Sequence, residues 1–287
     1  MESPRKNPLS SFMRRPKLFL KLPSQGRFWP EGSLAMPDNG EFPVYGLTVK
    51  DELLIRTPDA LFNGRTTVDV IKSCVPNILD PWKCPSLDLD AILIAIRIAT
   101  YGEKMTMDVS IPGTSEKEPF EIDLRPLLDQ IVENTYWEEE VKVSNDMTIY
   151  IEPVTYKVLT DYSLLSFDSN RVLQAIIQNE DLSEEQRIDM AANAMGRLAD
   201  ATLMQMLNGI KRINTTEGNT TDPLEIKEFL ENCDKEFFDV VAKAFRDLND
   251  RNNKRFMTIQ TPQQYVEQGS PAQMEVPFEF DYSNFFV

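Results

Sequence analysis

Apolar residues recur along this chain with two different periods, and the changes of period divide it. Residues 1–43 hold a single apolar alternation, at 18–22, among Pro, Gly and Ser. That pattern predicts an extended arm with one short strand. Helical spacing begins at Thr48, a candidate N-cap before VKDELLIRT, and Pro58 stops that helix after about two turns. Residues 66–75, TTVDVIKSCV, form a second short helix closed by Pro76. Residues 87–101, LDLDAILIAIRIATY, are apolar on nearly every face and end at Gly102. A central helix packed on several sides is expected there.

Period two then takes over. Residues 105–111 and 120–124 alternate around PGTSEKE and predict a hairpin, and 139–144 with 147–151 predict a second ribbon joined across Asn145 and Asp146. From Val154 the spacing is helical again. Ser183 and Gln186 have the spacing of a capping box, and the helix they open is expected to run to Arg212. Asp222 and Pro223 read as N-cap and first residue of another helix, and Asp234 opens KEFFDVVAKAFRDLND. The tail from Phe256 returns to strand, with Met274, Val276, Phe278 and Phe280 alternating before the aromatic end DYSNFFV.

The expected fold is therefore α+β, a mainly helical body with small antiparallel β-ribbons and an extended N-terminal arm. Five segments follow: 1–43, an extended basic arm; 44–104, a helical core; 105–152, a β-hairpin insert; 153–255, a helical domain; and 256–287, a C-terminal β-ribbon and aromatic tail.

Charge sharpens the picture. The net charge of −16 is uneven, because residues 1–30 carry seven Lys and Arg against one Glu, a local +6 that leaves −22 on the rest. A body so acidic repels phosphate, so no nucleic-acid partner is expected. The basic arm is expected to dock an acidic protein surface, its own or a partner's, through Arg14, Arg15 and Lys17, with Phe28 and Trp29 beside them. Removing residues 1–20 is expected to leave a folded chain. At the other end Phe285 and Phe286 would dock into a groove, with the terminal ribbon packed on the body.

The chemistry of catalysis is thin. The 287 residues include no histidine, which removes the commonest general base and zinc ligand. Cys74, Cys84 and Cys233 form no CxxC pair and are expected to be thiols. No secretory signal is evident at the start, and no apolar run approaches the roughly 20 residues of a membrane span. Phosphate-loop, dinucleotide, GxSxG and HExxH patterns are all missing. No enzyme activity, cofactor, metal or membrane partner is expected.

Asp88 and Asp90 form a DxD that would serve a metal-dependent enzyme, but two carboxylates at a helix N-terminus also complement the macrodipole, which is the favoured role. Arg97, inside the apolar helix, needs a buried carboxylate, with Asp90, Asp51 or Asp59 as the candidates. Asp59 closes one helix and Asn63 with Gly64 makes a turn, so these join Asp90 and Arg97 as structural residues. Met190, Met195, Met204 and Met206 are expected in the core rather than on an adaptable surface.

Three stretches carry a family resemblance. LPSQGRFWPEG, residues 22–32, resembles an LPS-x-G-aromatic arm motif; the block from Leu47 to Met105 is the most distinctive; and VPFEFDYSNFFV carries an FD-x-x-x-FF ending. Together they resemble the baseplate hub and hub-assembly proteins of T-even-type contractile-tailed bacteriophages, over residues 20–125 and the last fifteen. The resemblance implies a non-catalytic structural protein of the viral tail. Its partners would be other phage tail and baseplate proteins, or copies of itself, in the virion tail baseplate and in the host cytoplasm during assembly. A cytoplasmic tail-assembly chaperone missing from the mature virion stays open as the alternative. Relatives carry Cys-x-x-Cys knuckles in two β-ribbons, whereas the ribbons here, at 106–123 and 269–280, have no cysteine. A zinc role is therefore not carried over, and apolar pairing is expected to hold these hairpins.

Overall fold

The computed structural model describes residue 9 and residues 12–56, 64–111, 117–137, 140–179, 182–253, 255–267 and 269–278. The arm contains two strands rather than one. Strand β1 (Leu18–Leu20) pairs antiparallel with β2 (Phe42–Val44), and the alternation of β1 turns Leu18 and Leu20 inward. The arm has too few apolar positions for a core of its own, so Leu18, Leu20, Leu22, Phe42 and Val44 complete the core of the body instead.

Helix α1 (Val49–Ile55) starts in a capping box, where Thr48 caps the Asp51 amide and Asp51 returns the bond to Thr48. Helix α2 (Arg65–Cys74) follows Gly64, whose φ of +72° and proximity to Thr160 both require glycine. A 3-10 turn at Pro81–Lys83 leads to α3 (Ser86–Tyr101). As its all-round apolar sequence predicts, α3 is buried on nearly every side, with Ile92, Leu93, Ile94 and Ile96 fully enclosed. It belongs to a first core that also gathers Ile71, Val75, Ile78, Leu124, Leu128, Ile131, Met257 and Phe278.

Strands β3 (Lys104–Ser110) and β4 (Lys117–Asp123) form the expected hairpin, and α4 (Leu124–Asn134) grows from it with Asp123 as N-cap. The second ribbon, β5 (Glu140–Lys142) with β6 (Met147–Ile151), precedes two long helices, α5 (Tyr156–Gln178) and α6 (Glu184–Gly209). The capping box of Ser183 and Gln186 opens α6 as read from the sequence. Its end differs: α6 stops at Gly209, and β7 (Ile210–Thr215) pairs with β6. The β-branched Ile210 and Ile213 fit that sheet face, and tertiary pairing overrides helical continuation. Gly209 is needed at the junction, since a Cβ there would lie 2.5 Å from the Phe245 ring.

Strand β8 (Asn219–Thr220) completes a sheet of order β5-β6-β7-β8. Helices α7 (Pro223–Asn232) and α8 (Lys235–Asn253) contribute Ile226, Leu230, Val241 and Leu248 to a second core with Ile149, Ile151, Met206, Ile210 and Ile213. Strand β9 (Phe256–Gln260), helix α9 (Gln263–Glu267) and strand β10 (Gln273–Pro277) close the described chain, β9 and β10 pairing antiparallel. Tyr265, Met274 and Val276 meet Val109 and Ile111 in a third, smaller cluster. Among the described residues no helix is long and apolar enough to cross a membrane.

Candidate functional site

The arm is fastened by one carboxylate. Asp88 sits in the first turn of α3, fully buried. It accepts the Ser24 backbone N–H at 2.7 Å, the Ser24 hydroxyl at 2.5 Å and the Trp29 indole N–H at 2.7 Å. Burial pushes its carboxyl up to about 6, against the opposing pull of those three donors.

The loop between Ser24 and Trp29 is bent to reach this position. Gln25 and Phe28 take φ of +55° and +67°, a left-handed conformation that is strained for a bulky aromatic. Trp29 thereby faces α3, while the Phe28 ring meets Trp137 at 6.2 Å. Trp137 donates to the Ile151 carbonyl at 3.2 Å and packs against the second core. The motif is thus a strap that touches both cores. Phe28 and Trp29, expected to meet a partner, contact the body, because an indole can be buried here with its N–H satisfied.

Arg14 also turns inward. Its guanidinium donates to the Gly46 carbonyl at 2.9 Å, to the Ser73 hydroxyl at 3.0 Å and to the Ser73 carbonyl, and lies 5.5 Å from the Tyr45 ring centre. Asp51, buried 3.9 Å away, accepts from Thr48 and Ser73. Three acceptors at one point hold a planar guanidinium that a distant partner would otherwise have had to bind. Arg15 and Lys17 remain exposed.

Arg97 departs most from expectation. Asp90 pairs with Arg255 at 2.5 Å, both side chains largely buried, and Asp51 is occupied by the Arg14 cluster. Arg97 is half-buried with Nε and Nη1 lacking a hydrogen-bond partner, and its guanidinium lies 4.6 Å from the centre of the Tyr101 ring. The i, i+4 spacing places it over that ring, and the cation–π contact takes the place of the expected carboxylate. Burial lowers its pKa from the usual value.

The DxD reading loses its geometry as well. Asp88 faces the strap and Asp90 faces Arg255, as residues two apart on a helix must point to different sides. Among the described residues no three His, Cys, Asp or Glu side chains are grouped so as to hold a metal ion. Asp59, Asn63, Phe285 and Phe286 lie outside the described residues, and Gly64 stands at the N-cap of α2.

The α5–α6 hairpin is largely exposed. Only Tyr156, Thr160, Ser169 and Ile176 of α5, and Ala194, Ala201, Met206 and Gly209 of α6, are buried. The hairpin is rooted at its two ends, where Trp82 stacks on Tyr156 at 5.7 Å and Met206 enters the second core. Elsewhere the helices pack chiefly on each other. Of the four methionines expected in the core, only Met206 is there; Met195 and Met204 are 57% and 50% exposed, and Met190 is exposed too. The alanines of the inner seam bring the helices close and leave no room for larger side chains between them. Ile177 and Ile188, at 79% and 62% exposure, extend the apolar surface. A sequence signal for this existed in the Ala-rich seam beside a second apolar stripe, which marks a helix with two apolar faces.

The sequence matches the protein-family model described as T4 bacteriophage base plate protein over residues 21–254. No curated protein and no solved structure matches it.

Proposed function

Because the chain belongs to the T4 bacteriophage base plate protein family, we propose that it is a component or assembly factor of the central hub of that baseplate, acting through protein contacts and without turnover chemistry. As a structural protein of the phage baseplate, it works among other baseplate and tail proteins of the virion. The hub assignment rests on the resemblance of the arm motif and of the block from Leu47 to Met105, and one observation supports reading them as a unit. Asp88, inside the block, holds Ser24 and Trp29 of the arm motif, so the two stretches form one device. Their polar residues are engaged in building the body, which leaves the exposed hairpin and the cations Arg15 and Lys17 for contacts with other tail proteins.

Mass spectrometry of purified virions tests the assignment. A fixed stoichiometry in wild-type particles, with baseplates lacking their hub when the gene is removed, is the expected result. Presence in infected cells without presence in virions would favour the chaperone reading. Complete hubs assembled without the protein would end both.

A further inference from the structure

We propose that Asn39 is a site of self-modification, at which the backbone nitrogen of Gly40 closes on the side-chain amide and converts it through a cyclic imide into aspartate and isoaspartate. Asn39 is exposed in a turn ahead of β2, where the Gly40 N–H donates to the Pro37 carbonyl at 2.9 Å. Its Oδ1 accepts the Glu41 backbone N–H at 3.1 Å, which folds the side chain back along Gly40. That donor also stands where negative charge grows on Oδ1 as Cγ is attacked. The Glu41 carboxylate lies 3.5 Å from Nδ2, the nitrogen that must leave. Gly40 has no Cβ to obstruct ring closure, and its φ of +69° favours glycine there.

The dipeptide alone does not select this position. Asn208 and Asn63 also precede a glycine, the latter outside the described residues. Gly209, however, ends α6 buried, its carbonyl accepting from the Glu152 N–H and the Phe245 ring packed against it. The Asn208 Nδ2 is held by the Met204 carbonyl at 2.8 Å. Cyclisation there would break the α6–β7 junction, whereas at Asn39 the turn hydrogen bond to Pro37 is what has to open. Water is the co-reactant. The Gly40 N–Cγ bond forms as the nitrogen's proton passes to solvent base, the Cγ–Nδ2 bond breaks and ammonia leaves. Water then opens the imide at Cγ to give aspartate, or at the Asn39 backbone carbonyl carbon to give isoaspartate. Isoaspartate lengthens the main chain next to β2, and either product sets a new carboxylate beside Glu41, which pairs with Lys21 of the arm at 3.7 Å. The modification thus falls on the β1–β2 pairing that fastens the arm.

Ageing the full chain in mildly alkaline buffer and mapping its peptides by mass spectrometry tests this. Asn39 should lose its amide at least about tenfold faster than Asn208, because an exposed turn opens more readily than a packed helix end. Both aspartate and isoaspartate should form, and the rate should climb with pH, since the attacking nitrogen must shed its proton. Gly40→Ala, whose Cβ would meet no atom within 4 Å, should slow the loss at Asn39 by at least about tenfold. The melting temperature should fall further on ageing in the wild type than in Asn39→Ser, which keeps an oxygen for the Glu41 amide and cannot cyclise. An Asn39 that keeps its amide while a free peptide of the same turn is converted would overturn the proposal. So would Asn208 reacting as fast, aspartate formed without isoaspartate, a rate indifferent to pH, or wild type and Asn39→Ser ageing alike.

Discussion

Trp29 donates its indole hydrogen at 2.7 Å to Asp88, 59 positions later in the chain. The contact joins the arm to the central helix, and Asp88 accepts from Ser24 as well. Replacing Asp88 by Ala strands these buried donors, so a loss of about 3–5 kcal/mol is expected, against about 1–2 kcal/mol for Trp29→Phe, which removes one donor and keeps an aromatic ring. Urea denaturation of the two variants checks the order. Equal losses would show that the carboxylate matters only through the indole.

The pH dependence of the same group has a definite sign. Its carboxyl is raised from 3.8 to about 6 by burial. Over that window the folded chain holds the proton that the unfolded chain releases, so Asp88 contributes stability that is fully present below its unfolded value and lost as pH rises through about 6. Wild type should therefore gain about 1 kcal/mol on Asp88→Asn when the pH falls from 7.5 to 5. Denaturation of both proteins at the two pH values measures this difference, in which the other carboxylates cancel.

Two arginines exchange the roles the sequence suggests. Arg255→Met leaves Asp90 buried without its cation and should cost about 3–5 kcal/mol, whereas Arg97→Met leaves no carboxylate unpaired and should change stability by less than about 1 kcal/mol. Thermal melts of the two variants separate them. A large loss in Arg97→Met would mean that its contact with Tyr101 does more than a cation–π pair can.

The arm is part of the fold, so a chain beginning at residue 21 should not be stable. It lacks Leu18 and Leu20, exposed to only 8% and 2%, and the strand that pairs with β2. Burial of those two side chains is worth on the order of 3–6 kcal/mol. A cooperative melt at the wild-type temperature would contradict this. The result expected here replaces the view that the arm can be cut away without harm.

Local rules made much of the architecture readable. Thr48, Ser183 and Asp222 announce their helices through caps that depend on residues three or fewer positions away, and the all-round apolar run of α3 dictates its burial. What escaped was set by distance along the chain. The partner of Asp90 lies 165 positions away, and no spacing rule connects them. Phe28 and Trp29 look like exposed aromatic anchors until a left-handed turn points one at α3 and the other at Trp137. Met190, Met195 and Met204 were misread because methionine at helical spacing marks an apolar face without saying whether the chain covers it.

The pairing of Asp90 with Arg255 also sets a clock on synthesis. A ribosome adding about 5–20 residues per second needs roughly 8–33 seconds to place the cation after the carboxylate has been made. Met257 and Phe278, which pack into the same core, emerge later still. For that interval the nascent chain carries an unneutralised acid and an open apolar side next to α3. The first core can close only after Phe278 has been made, which makes the polypeptide before that point a natural client for host folding helpers and sets the earliest moment at which it can enter a growing particle.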